Sequence, residues 1–168
     1  MAIVFPEGTQ NLPSGVIQCQ SVSTGAFSTF SGQNSWQNII SHNITPKSGS
    51  SKILIIANIM FGWTSYYNAI GMRLTRSNGG GVIGNGTVSG AQSSGFMGMD
   101  DQNGGSANAN QYSALFLDSP ATTENRTYYV QGTNSRDSET WSVNGPRGNS
   151  NDAQCWKGIS TLTLIEVE

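Results

Sequence analysis

Charge is scarce in this sequence. Charged residues make up 11% of the 168 positions, against about 25% in ordinary globular domains, and the formal net charge is -2. The 8 lysines and arginines are too few to form the basic surface that electrostatic binding of nucleic acid requires. We therefore expect no nucleic-acid partner.

Long apolar runs and a leader pattern are also missing. No run reaches the roughly 18 apolar residues of a membrane-spanning helix, so the sequence predicts no insertion into a membrane. Residues 1–8 lack the basic and apolar regions of a secretory signal peptide. This start indicates synthesis in a cytoplasm without signal-directed export.

Residues suited to catalysis or metal binding are few. The single histidine, His42, supports neither a usual metal site nor a catalytic triad, and we interpret it as solvated or hydrogen-bonded. Asp100 and Asp101, next to Asn103, form a weak calcium pattern that a solvated acidic loop explains better. The glycines between residues 79 and 86 resemble a phosphate-binding loop only superficially, because no helix pattern follows them. We predict no enzyme activity, no cofactor and no metal site.

Two cysteines, Cys19 and Cys155, are too few for a disulfide scaffold. They lie near opposite ends of the chain, and the terminal strands of a β-sandwich often pair, so a bridge between them stays open. Two small buried thiols are the simpler interpretation.

The residues that are abundant favour β-structure. Half of the chain is Gly, Ser, Thr, Asn or Gln, and isoleucine outnumbers leucine by 13 to 7. Strand-like runs recur at short spacing with no helical stretch, over residues 16–22, 26–30, 36–40, 52–61, 69–76, 82–88, 111–117, 126–132, 139–144 and 159–167. Residues 89–110 are predicted to form one long loop. The sequence predicts an all-β protein, a jelly-roll-like antiparallel β-sandwich over residues 16–168, preceded by an extended attachment arm over residues 1–15.

Residues 52–61 form the most apolar predicted strand. One face carries Ile53, Ile55, Ala57, Ile59 and Phe61, and the other carries Leu54, Ile56, Asn58 and Met60. A strand with one face in water alternates between apolar and polar residues, so we expect this strand to be covered on both faces. A second sheet would cover one face and a neighbouring subunit the other, which favours a homotrimer or a larger assembly.

Four aromatic residues are candidate surface contacts for glycans. Trp63, Tyr66 and Tyr67 follow the apolar strand, and Trp156 lies among asparagine and glutamine residues. An aromatic ring offers a flat apolar platform to a sugar, while amides offer donors and acceptors. Packing of these rings in the core or in a subunit interface is the stronger alternative.

Four phrases follow one another along most of the chain: IVFPEGTQNLPSG, ITPKSGSSKILIIANI, ALFLDSPATTENRTYYVQ and ISTLTLIEVE. In this order and spacing the sequence resembles small virion structural proteins and tail-fibre tip domains of tailed bacteriophages, especially those of marine bacteria and cyanobacteria. The resemblance implies a jelly-roll-like β-sandwich, often trimeric, that is displayed on the virion. Extended arms of the kind predicted over residues 1–15 commonly clasp a neighbour or tether a domain to a larger body, so Ile3, Val4, Phe5 and Pro6 are the candidate residues for docking to other virion proteins.

The leading functional hypothesis is therefore a non-enzymatic bacteriophage virion protein, made in the host bacterial cytoplasm and displayed as an oligomeric β-domain. A tail-fibre or tail-accessory position would bring it to a host receptor, including surface glycans. A capsid decoration protein on the head is the first alternative, and a free carbohydrate-binding module is the second. A glycoside-degrading enzyme has the least support in the sequence.

Overall fold

The computed structural model describes residues 15–63, 68–77, 81–87, 94–101, 109–135, 140–146 and 157–168. Within these ranges the chain forms β-strands and no helix, which confirms the predicted all-β class. The strands are β1 (Val16–Thr24), β2 (Ser28–Phe30), β3 (Gln37–Ile44), β4 (Lys52–Trp63), β5 (Asn68–Arg76), β6 (Gly81–Ile83), β7 (Met97–Asp101), β8 (Ala109–Asp118), β9 (Arg126–Asn134), β10 (Trp141–Val143) and β11 (Ser160–Val167).

The strands form two antiparallel sheets that pack face to face. In sheet I the order is β1, β11, β4 and β8. Strand β10 pairs with the same edge of β4 as β11 does, but further along β4, and β2 pairs with β10. In sheet II the order is β3, β9 and β5, and both β6 and β7 pair with the far side of β5. Successive long strands alternate between the sheets, and the first strand of sheet I lies beside the last. This is the jelly-roll-like sandwich that the sequence predicts.

The core lies between the sheets and is centred on β4. The predicted inward face of this strand is confirmed, because Ile53, Ile55, Ala57, Ile59 and Phe61 are all fully buried. The residues that alternate with them are half-buried in the single chain. Sheet II thus covers one face of β4, while the cover of the other face by a neighbouring subunit stays a prediction.

An aromatic cluster fills the core where β10 pairs with β4. Trp141 is fully buried, stacks on Phe30 with ring centroids 4.4 Å apart and lies 5.8 Å from the ring of Phe61. Gly132 on β9 makes room for the indole, because a Cβ atom at this position would lie 2.6 Å from Cη2 of Trp141. The large ring and the missing side chain are therefore complementary parts of one packing arrangement.

The sequence misplaces several strand boundaries. The loop predicted over residues 89–110 contains β7, which pairs with β5 through its backbone although it has little apolar character. The strand predicted over residues 36–40 continues to Ile44, and a bulge in it turns both Ile39 and Ile40 toward the core. The strand predicted over residues 82–88 ends at Ile83, because Gly84 takes a left-handed backbone conformation with φ of 68°.

Candidate functional surfaces

The outer face of sheet I carries an apolar patch, defined as Leu54, Ile56, Leu115, Leu117 and Ile165. Leu54 on β4 lies between Leu117 on β8 and Ile165 on β11, and Ile56 lies opposite Leu115. Leu115 is 63% exposed and Leu117 is 46% exposed in the single chain. Contiguous exposed apolar side chains mark interaction surfaces in soluble proteins, so this patch is the first candidate for contact with a partner.

Strand β8 borders the patch as a long edge strand. It pairs with β4 from Ala109 to Asp118, and no described strand pairs with its other side. Edge strands of soluble monomers are usually short or are protected by lysine, proline or a bulge. β8 contains neither lysine nor proline, and its register with β4 runs without a bulge. The edge of β8 that no described strand covers and its exposed leucines can therefore be used together by a second chain.

The outer face of sheet II has a different character. Trp36, which precedes β3, lies against Arg73 on β5, with the guanidinium carbon 4.3 Å from the ring centroid. The Arg73 side chain also contacts Gln131 on β9, which contacts Asn38 on β3. An aromatic ring, a cation and two amides thus share one surface.

Buried polar groups connect the two sheets at the end of β8. Oδ2 of Asp118 accepts a hydrogen bond from the phenol of Tyr128 at 2.7 Å and forms an ion pair with Arg76 at 2.5 Å. The pKa of Tyr128 lies well above its ordinary value. Burial of the phenol is the largest cause, and its hydrogen bond to Asp118 is the next. The phenol therefore stays protonated at neutral pH and acts as a structural donor.

A second buried carboxylate, Glu166 on β11, organises the loop between β3 and β4. Oε1 of Glu166 accepts the backbone N–H of Lys47 at 2.7 Å and that of Ser48 at 3.4 Å. Oε2 accepts a hydrogen bond from the amide of Gln18 at 2.6 Å. Buried carboxylates are stable when such donors replace water, so Glu166 has a structural role that the sequence analysis did not assign.

The structure describes only part of the predicted glycan site. The backbone of Trp63 lies at the end of β4, opposite Trp141 on β10. The side chain of Trp63 and the whole of Tyr66, Tyr67 and Trp156 lie outside the described residues. Glycan contact through these four aromatics stays a prediction.

Two further predictions concern residues that lie partly or wholly outside the described ranges. The docking residues 3–6 lie outside them, so the attachment arm stays a prediction. Cys19 carries a free, half-buried thiol whose pKa is raised by desolvation, whereas Cys155 lies outside the described residues. The thiol of Cys19 is free, and the interpretation of the two cysteines as small buried thiols stays a prediction.

His42 is half-buried on β3, opposite Tyr128 on β9. Its Nε2 atom is buried and has no hydrogen-bond partner among the described residues, so the predicted solvated or hydrogen-bonded state does not hold for this nitrogen. Desolvation lowers the pKa of His42. Asp100 and Asp101 lie on β7 and not in the predicted loop, and only their backbone belongs to the described part of the structure.

The described ranges contain no group of three His, Cys, Asp or Glu residues that could hold a metal ion. In the same part of the chain there is no helix with the length and apolar character needed to cross a membrane.

Two of these surface residues, but not Trp36, have a signal in the sequence. Leu115 and Leu117 alternate with inward residues of β8, and this spacing marks them as a second apolar face. Trp36 gave no such signal, because its contact with Arg73 joins positions that come together only through the order of strands in sheet II.

No protein-family model matches the chain, and no curated protein matches it. Among solved structures, the chain is similar to one in "Structure of infectious bursal disease virus Gx strain", with 11% sequence identity and a TM-score of 0.41. The match covers 98% of this chain and 41% of that viral chain, so this protein spans less than half the length of its structural neighbour.

Proposed function

We propose that this protein is a non-enzymatic structural protein of a bacteriophage virion, displayed on the particle surface as a homo-oligomeric β-domain. The apolar patch on sheet I is the observation that carries the proposal. Its leucines, isoleucines and adjacent free strand edge suit a domain that functions as a subunit of a larger assembly.

Burial of the patch supplies the free energy for association. Complete burial of one leucine side chain contributes about 1.5 to 3 kcal/mol, and Leu115 and Leu117 are 63% and 46% exposed in the single chain. The inward face of β4 packs in the core between the sheets, whereas the patch belongs to its outward face and lies outside that core. In a homotrimer, each subunit would cover the patch of the next, so both faces of β4 would be buried.

Attachment to the particle is assigned to the arm, residues 1–15, which would contact other virion proteins. The phrases of sequence that resemble virion proteins of tailed phages support this part of the proposal. We favour a tail-fibre or tail-accessory position, in which the loops of the sandwich face the host cell. A capsid decoration protein is the alternative within the same class.

Quantitative mass spectrometry of purified phage particles tests this function. We expect the chain in the particles, at a copy number that is a multiple of three and matches known tail components. A copy number that matches the major head protein would replace the tail assignment by the head alternative. Absence of the chain from particles that contain the other virion proteins would overturn the proposal.

A free carbohydrate-binding module is the second candidate. The specific observation in its favour is the contact of Trp36 with Arg73 on sheet II, since sugar-binding surfaces combine an aromatic ring with polar side chains. This candidate predicts a protein that binds glycans as a monomer and is absent from particles.

A further inference from the structure

An aromatic ring lies on the outer face of sheet II. Gly71 on β5 lies beside the indole of Trp36, and a Cβ atom at Gly71 would be in ordinary van der Waals contact with Cη2 of that ring, at 3.4 Å. Arg73, two residues further along the same face, places its guanidinium carbon 4.3 Å from the ring centroid. The ring and the cation are therefore held in a defined relative position on a rigid sheet.

Neighbouring strands orient the guanidinium. Nε of Arg73 donates a hydrogen bond to Oε1 of Gln131 at 2.8 Å. Nε2 of Gln131 in turn donates to Oδ1 of Asn38 at 2.7 Å, which fixes the orientation of the Gln131 amide. With Nε engaged in this way, the two terminal nitrogens of Arg73 are the groups left to bind a planar anion.

Arg73 differs from the two other arginines that line the described sheets. Arg76 forms an ion pair with Asp118, and Arg126 forms one with Glu124. No described carboxylate forms an ion pair with Arg73, although this side chain is half-buried. A partly desolvated guanidinium without a carboxylate is a site at which an external anion gains a charge-assisted hydrogen bond.

The described outward side chains of β3, β5 and β9 around Arg73 are polar and uncharged. Arg73 is the one charged side chain among the described residues that point outward from β3, β5 and β9. The other polar positions on this face carry hydroxyl, amide or phenol groups: Ser41, Asn43, Thr75, Thr127 and Tyr129. Such a face matches a ligand that is rich in hydroxyl groups and bears a single carboxylate.

We propose that Trp36, Arg73 and Gln131 form a binding site for an acidic saccharide. The carboxylate of a uronic or sialic acid residue binds the terminal nitrogens of Arg73, and the C–H face of the sugar packs on the exposed part of Trp36. Gln131 and Asn38 position the cation and offer their remaining amide groups to sugar hydroxyls. The proposal gives the host contact of the proposed function a ligand class, but it rests on the geometry of one chain and does not require the virion assignment.

The test is a glycan array followed by titration calorimetry with the purified full chain. The probes are oligogalacturonate, oligomannuronate, oligoguluronate and sialyllactose, with methyl-esterified oligogalacturonate and lactose as neutral counterparts. We expect binding to at least one acidic probe and binding to neither of the two neutral probes. Light scattering of the same samples reports assembly separately, so a failure of the saccharide site is distinguishable from a failure of the proposed oligomer.

Three variants assign the binding to this site. We expect Arg73→Gln and Trp36→Ala each to weaken binding by about tenfold or more, because each removes one principal contact. Lys52→Gln, which removes one exposed positive charge from sheet I, is the matched control and should bind as the wild type does. If Trp36→Ala fails to fold, Arg73→Gln alone decides. Binding to none of the acidic probes, or equal binding by wild type and Arg73→Gln, would overturn the proposal.

Discussion

Tyr128 and Asp118 join the two sheets through a buried hydrogen bond. The phenol on β9 of sheet II donates to Oδ2 of Asp118 on β8 of sheet I at 2.7 Å. Arg76 on β5 contacts the same carboxylate oxygen, so a charged group of sheet I is held by two donors of sheet II. A hydrogen bond to a charged acceptor contributes more to stability than a neutral one.

Removal of this phenol should destabilise the fold. We expect Tyr128→Phe to lower the free energy of unfolding by about 1.5 to 3 kcal/mol, since a buried carboxylate loses one of its donors. Urea denaturation followed by tryptophan fluorescence measures the change. Tyr129→Phe is the control, because the neighbouring phenol points outward and is half-buried. An equal loss in both variants would mean that the link between the sheets is not the cause.

Gly132 should not tolerate a side chain. A methyl group at this position would lie 2.6 Å from Cη2 of Trp141 and 2.9 Å from Cδ1 of Ile39, so the core must shift to admit it. We expect Gly132→Ala to destabilise the protein by about 1 to 3 kcal/mol in a thermal or urea titration. Gly49→Ala is the control, because no atom lies within 4 Å of a Cβ there. Stability of Gly132→Ala equal to that of the control would contradict the packing at Trp141.

Stability should decrease in mild acid because of His42. Desolvation lowers the pKa of His42 below its ordinary value of 6.5, so the unfolded chain binds a proton more readily than the folded chain does. The stability associated with neutral His42 is therefore present above pH 6.5 and is lost as the pH falls below it.

Thermal melts between pH 8 and pH 5 measure this effect. We expect the wild-type midpoint to fall through this range and His42→Gln to show a smaller fall. Ser41→Ala, at the exposed neighbouring position, should follow the wild-type curve. A His42→Gln curve parallel to that of the wild type would exclude His42 as the source.

The strongest elements of this fold could be predicted from local sequence. The inward face of β4 and the alternation of Leu162 and Leu164 on β11 produce patterns that need no knowledge of partners. β7 could not be predicted in this way, because its pairing with β5 depends on backbone groups rather than on an apolar period. The bulge that brings Ile39 and Ile40 to the same side likewise hides the pattern of β3.

The candidate surfaces were less accessible to sequence reasoning. Of the aromatics that the sequence singled out, Trp63 is the last residue of β4, and Tyr66, Tyr67 and Trp156 lie outside the described residues. Trp36 precedes β3 and Arg73 lies on β5, and β9 lies between these two strands in sheet II. The spacing of the two residues in the sequence therefore does not predict their contact. Leu115 and Leu117 did show an apolar period, but only the strand order makes them continuous with Leu54 and Ile56.

The central claim is that copies of this chain associate through the apolar patch on sheet I. Replacement of Leu115 by glutamate places a charge in the patch, while Ser41→Glu adds the same charge to the exposed outer face of sheet II. Because an unpaired charge is costly to bury, only the first substitution should prevent association.

Size-exclusion chromatography with multi-angle light scattering tests this claim most directly. We predict a wild-type mass of three times the 17.8 kDa subunit, a single-subunit mass for Leu115→Glu and the wild-type mass for Ser41→Glu. A wild-type mass of 17.8 kDa at every concentration, or an assembly that Leu115→Glu leaves intact, would contradict it.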